Sequence, residues 1–146
     1  MTLDFGFAPL VSLGSTVFED VNNNGLLDDG EGRIEGVTVE VFDLGPDGIA
    51  ENDDDQLVGS DVTDVNGNYF VDGLLPGDYY VSIPNVDDSL PISSTGESLD
   101  PNDDVDNDDN GIQVAPGEGV WSNVITLTGD DAVSYTHLTL PTIYPV

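Results

Sequence analysis

The sequence contains no cysteine, and one basic residue, Arg33, stands against 30 acidic ones for a formal charge of −29. Without thiols there are no disulfides, and zinc or iron–sulfur chemistry loses its usual ligands. A surface this acidic repels polyanions, which excludes nucleic acid and anionic membranes as partners. No apolar run approaches the ~20 residues of a membrane span, so no membrane insertion of this domain is expected. The opening MTLDFGFAPL lacks both a basic region and a long apolar stretch, so it does not read as a secretory leader. An exported parent protein would carry its signal outside this fragment. Sustained helical periodicity is missing as well.

What the chain does have is short alternating runs separated by Gly, Pro, Asn and Asp clusters, the pattern of an all-β antiparallel sandwich or barrel. Its 146 residues suffice for one domain with a core. Leu13, Ser15 and Val17 alternate in one run, and Val37, Val39 and Val41 share a face in another. LVGSDVT and NYFVD flank Asn66-Gly67, the strongest short hairpin signal in the chain. LLPGDYYVSIP sets Tyr79, Val81 and Ile83 on one face, and VWSNVITLT reads as a further strand. Trp121, Tyr69 and Tyr79 fit core or sheet-covering roles better than a ligand platform.

The acids bunch in loops. In DVNNNGLLDDGE, Asp20, Asn22, Asn24, Asp28 and Glu31 fall at positions one, three, five, nine and twelve, with Gly25 at six. This matches the calcium-loop spacing, in which glycine makes the sharp bend, a glutamate closes the site and the seventh residue, Leu26, offers its carbonyl. The competing reading is an ordinary Asn/Asp/Gly turn. Strands on either side leave no helices to swing, so calcium here would be structural instead of signalling. A second run places Asp104, Asp106, Asp108 and Asp109 together, either binding ions or forming a solvated loop. A third and weaker candidate holds Asp47, Asp53, Asp54 and Asp55. Self-repulsion among so many carboxylates argues independently for bound divalent cations, against the alternative of a merely soluble acidic surface.

The two ends differ from the middle. VSYTHLTLPTIYPV has no acid and the only histidine, His137. It resembles the read-through of a sequencing-library adapter seen at the ends of metagenomic reading frames, so residues 133–146 are set aside from fold and function. Residues 1–8, with Thr2–Phe7 as a compact strand, read as the closing strand of a preceding repeat. The domain itself then spans 10–132 with its own last strand truncated. Thr2–Phe7 could fold back into that vacant slot.

The segments LGSTVFEDVNNNGLLDDGEGRIEGVTVEVFD, TDVNGNYFVDGLLPGDYYVSIP, STGESLDPNDDVDNDDNGI and SNVITLTGD, in this order, resemble the SdrD B-like repeat domains related to Cna B-type modules of bacterial surface adhesins. The resemblance implies a prealbumin-like or reverse immunoglobulin-like β-sandwich, repeated in tandem and stiffened by calcium. It also implies Asp20, Asn22, Asn24, Asp28 and Glu31 as ligands. Pilin-type relatives cross-link a lysine to an asparagine, but this chain has no lysine, so calcium would have to do the bracing.

The expected function is a non-catalytic, calcium-binding spacer, holding one to three ions, in a secreted or cell-surface protein. Its partners would be neighbouring repeats of the same polypeptide and an unidentified extracellular or matrix ligand. The alternative is an adhesin module that itself contacts protein or glycan. Catalysis is not expected. The carboxylate pairs crowd in polar loops instead of a shaped cleft, and His137 lies in the suspect tail.

Overall fold

A computed structural model describes residues 1–94, 99–102, 108–129, 137–140 and 143–144, the last two stretches by backbone pairing alone. The strands are β1 (Val11–Val17), β2 (Thr38–Asp43), β3 (Gln56–Val62), β4 (Asn68–Leu74), β5 (Gly77–Ile83), β6 (Ile92–Ser93), β7 (Gly111–Ile112), β8 (Val120–Ser122), β9 (Ile125–Leu127), β10 (His137–Leu140) and β11 (Ile143–Tyr144). There is no α-helix among the described residues.

Two sheets face each other. The larger runs β3-β2-β5-β8-β7, with β9 also on β5, and the smaller runs β10-β1-β4. Leu13 and Val17 of β1, Tyr69 and Val71 of β4, Val39 and Val41 of β2, and Tyr79, Val81 and Ile83 of β5 meet in one core cluster. The period-two alternation built this core, because one face of each strand was apolar. Strand β5 departs from it. All of Tyr79 to Ile83 is buried, since Tyr80 on the outward face stacks on Phe42 at 5.2 Å between ring centroids.

Asn66-Gly67 does make a tight turn, with the Gly67 amide donating to the Asp64 carbonyl at 2.8 Å and Gly67 at φ 73°. The hairpin expected there does not form: β3 pairs with β2, and β4 with β1. The turn instead carries the chain from one sheet to the other. VWSNVITLT breaks into β8 and β9, both laid along β5.

Thr2–Phe7 forms no strand, and residues 1–10 are exposed. The place beside β1 is held by β10 in parallel register, from Gly14 opposite His137 to Val17 opposite Leu140. Thr2–Phe7 could not take that place in that direction on its own chain. Parallel neighbours need a connection of about a dozen residues, and only Ala8, Pro9 and Leu10 intervene. Within residues 133–146, β10 thus pairs with the smaller sheet, while β11 pairs with β6 in a separate two-stranded ladder.

The sandwich has two ends. At the Val11 end lie the Leu75–Pro76 turn and the close of β9, and Gly129, two residues beyond that strand, sits against Pro9. At the Val17 end lie the start of β2, the end of β5 and the start of β8.

Candidate metal centre

Directly after β1 the chain enters Asp20–Glu31, and its polar side chains are wired to one another. Buried Asp20 accepts the Asn24 amide on Oδ1 at 3.2 Å and the Gly25 amide on Oδ2 at 2.8 Å. Asn22 and Asn24 accept the backbone amides two residues on, from Asn24 at 3.2 Å and Leu26 at 2.9 Å. Their Nδ2 groups donate to the same oxygen, Oδ2 of Asp28, at 3.1 and 2.7 Å. Glu31 closes the ring, taking the Val21 amide on Oε1 at 3.0 Å and the Asp28 amide on Oε2 at 2.9 Å. Gly25 at φ 75° makes the bend that a side chain would resist. The residues at positions one, three, five, nine and twelve therefore belong to one connected loop.

The second acidic run comes to this loop across the fold. Leu26 bridges to Asp108, and the Asp109 amide donates to the Gly25 carbonyl at 2.8 Å. Asp20 and Asp109 are 0% exposed, Asp108 2% and Asn110 1%. Asp109 accepts the Ser94 hydroxyl on Oδ2 at 2.5 Å and the Gly111 amide on Oδ1 at 2.6 Å. Burial pushes its carboxyl up to about 8; the Ser94 and Gly111 hydrogen bonds oppose the rise, while the charges of Asp20 and Asp108 add to it. Asp104 and Asp106 lie outside the described residues.

The chemistry of this donor set suits a hard divalent cation. Every side-chain donor is a carboxylate or amide oxygen, and three carboxylates are buried near one another in a chain with one basic residue. Calcium takes six to eight such oxygens, and its charge would offset the burial, and the smaller repulsion from Asp20 and Asp108, that raise the Asp109 carboxyl. The site is not a finished cage: among the described residues no three acidic side chains converge as metal ligands. The Asn22 and Asn24 amides point nitrogen at Asp28, so a cation would require them to turn oxygen inward.

The third cluster stands apart, between β2 and β3 at the Val11 end. Asn52 is its hub, donating to Asp47 at 2.8 Å from Nδ2 and to Asp55 at 2.9 Å from its backbone. Asp54 donates its amide to Asn52 Oδ1 at 3.2 Å, and Tyr80 donates its hydroxyl to Asp55 at 2.8 Å. Asp53 is exposed beside them. These bonds close a turn, and the structure does not join the cluster to the first two.

Sequence reading missed Ser94 and Asn110, whose part in the site depends on the long-range approach of the two loops. The signal available was local: Asn110-Gly111 follows directly on the acidic run.

The family model of the SdrD B-like domain matches residues 11–115. The chain is 32% identical over 122 residues to serine-aspartate repeat-containing protein D of Staphylococcus aureus, covering 84% of this chain and 8% of that protein. It is 37% identical over 101 residues to Colossin-B of Dictyostelium discoideum, covering 64% of this chain and 3% of that protein. The chain thus spans a small fraction of the length of the curated relatives it matches. Among solved structures, a shaft pilin of Lactobacillus rhamnosus GG superposes with a TM-score of 0.50 at 9% identity, over 92% of this chain and 51% of that one. That likeness is one of fold.

Proposed function

The chain belongs to the SdrD B-like domain family, and on that footing we propose that it is a calcium-braced, non-catalytic spacer repeat of a cell-surface protein. The observation that carries the reading is the convergence of Asp20–Glu31 with Asp108 and Asp109, which buries carboxylates near one another where a cation could take the place of a proton. Asp20, Asn22, Asn24, Asp28 and Glu31 would hold the ion, with Asp108 and Asp109 closing over it. The bound ion would supply positive charge alone: it would tie the loop after β1 to the segment before β7 and stiffen one end of the sandwich.

The test is a thermal melt in EDTA, in millimolar calcium and in millimolar magnesium. An ion that binds only the folded state adds RT ln(1 + [Ca]/Kd), about 2.7 kcal/mol at a hundredfold excess over Kd. A calcium-specific rise in Tm that is lost in Glu31→Gln supports the reading. Identical melts in all three buffers would sink it.

A further inference from the structure

Arg33 is the only lysine or arginine in the chain, so Arg33–Ile34 is the only bond that a protease directed to basic residues can recognise. The residue is exposed, but the backbone around it is not free. Arg33 forms an antiparallel bridge with buried Phe18. On that side the Glu19 amide donates to the Gly32 carbonyl at 2.8 Å, and the Ile34 amide donates to the Val17 carbonyl at 3.0 Å. Buried Thr63 straps the other side. Its hydroxyl donates to the Ile34 carbonyl at 2.7 Å and accepts the Val37 amide at 2.9 Å, and its carbonyl accepts the Gly36 amide at 3.0 Å. Two residues before Arg33, Glu31 closes the acidic loop by taking the Val21 and Asp28 amides. An enzyme that takes an extended peptide as an added strand needs free backbone groups. Here the Gly32 and Ile34 carbonyls and the Ile34 and Gly36 amides are already committed.

We infer that Arg33–Ile34 is a latched cleavage site for an arginine-directed endopeptidase, and that the Asp20–Glu31 loop is its latch. This rests on the calcium reading of that loop. Hydrolysis would break the bond between the Arg33 carbonyl carbon and the Ile34 nitrogen. Water would give its hydroxyl to the new Arg33 carboxyl and a proton to the new Ile34 amine. β1 and the loop would be left on one piece and all later strands on the other. Val11, Leu13 and Val17 of β1 belong to the core, so the cut divides the interior as well as the chain. Cleavage needs a local opening in which the segment from Glu31 to Gly36 leaves the end of β1 and Thr63. An ion held through Glu31 opposes that opening by its own binding free energy. At a hundredfold excess of calcium over Kd the opening is suppressed about a hundredfold. With calcium bound the repeat stays whole, and without it one bond gives way.

The test digests the full chain with trypsin in EDTA, in calcium and in magnesium. An unstructured arginine peptide in each tube corrects for any effect of the ions on the protease. Two fragments, residues 1–33 and 34–146, should form about a hundredfold more slowly at a hundredfold excess of calcium over Kd than in EDTA. Glu31→Gln should be cut in calcium at the EDTA rate. Thr63→Val should be cut faster than the parent chain in calcium, with Thr63→Ser restoring protection. Arg33→Gln should stay intact, and fragments from that variant would overturn the assignment. Ile125→Val weakens the core at a fully buried position on β9, outside the loop. It should leave the rate unchanged, because the opening is local. A rate that climbs with the loss of global stability would mean that whole-molecule unfolding exposes the bond, and the latch would fall. Melting of the same samples separates this inference from the reading beneath it. If calcium raises Tm but cutting is equally fast in EDTA and calcium, the metal site stands and the latch is removed. If neither responds to calcium, both are removed.

Discussion

Asp109 is where the charge pattern becomes a measurable property. Its carboxyl is held at about 8 in the folded protein against an ordinary value of 3.8. A carboxyl whose folded value is raised contributes stability that is fully present below about pH 4 and is lost as the pH climbs through about 8. In calcium-free buffer Tm should therefore fall across that window on account of this group, and Asp109→Asn should flatten the decline. Calcium requires the deprotonated form, so its affinity should rise over the same window. Calorimetry at several pH values in EDTA and in calcium reads both effects; a decline that persists unchanged in Asp109→Asn would show that this carboxyl is not the cause. Leu13 tests packing instead of charge. It is fully buried, so Leu13→Ala should cost about 2–5 kcal/mol in a urea melt through lost burial and a residual cavity.

At the scale of elements, the Asn66-Gly67 turn deserves the closest test, because it links the two sheets and not two partners in one ladder. Gly67 holds φ 73°, and a Cβ there would run into the Val17 carbonyl and the Arg33 side chain. Gly67→Ala should therefore destabilise by roughly 1–3 kcal/mol, while Gly73→Ala, also at positive φ but facing open space, should cost less. Denaturant midpoints of the two variants decide it, and equal losses would mean that crowding contributes nothing at Gly67. The turn was legible in the sequence because Asn-Gly favours the left-handed backbone locally. Its role was not, since local propensity says nothing about which sheet the next strand joins. The same limit applied to β5. Alternation identified Tyr79, Val81 and Ile83 as inward-facing, but burial of Tyr80 depends on Phe42 and Asp55 arriving from elsewhere.

For the whole molecule, a formal charge of −29 means that any cation should help. Monovalent salt shortens the Debye length to roughly 8 Å at 0.15 M and should raise Tm in EDTA by screening diffuse repulsion. Calcium should act at concentrations far too low to screen, because it would bind at the Asp20–Glu31 loop. Melts against sodium chloride and calcium chloride separate the two. If calcium were effective only at ionic strengths where sodium works equally well, the acidity would be a surface property and nothing more.

Much of this protein was fixed by composition and spacing. An apolar side chain at every second position makes a strand with one buried face, whatever its neighbours, so the sandwich and most of its core followed from the sequence. The calcium-loop spacing likewise lies within twelve consecutive residues, where the chain's own geometry sets which side chains meet. Pairing was another matter. That β3 joins β2 and not β4, that the slot beside β1 takes a parallel strand, and that Asp108 and Asp109 close against Asp20 were decided by packing between distant segments. Such contacts depend on where each strand settles after collapse, and short-range preferences carry no record of that.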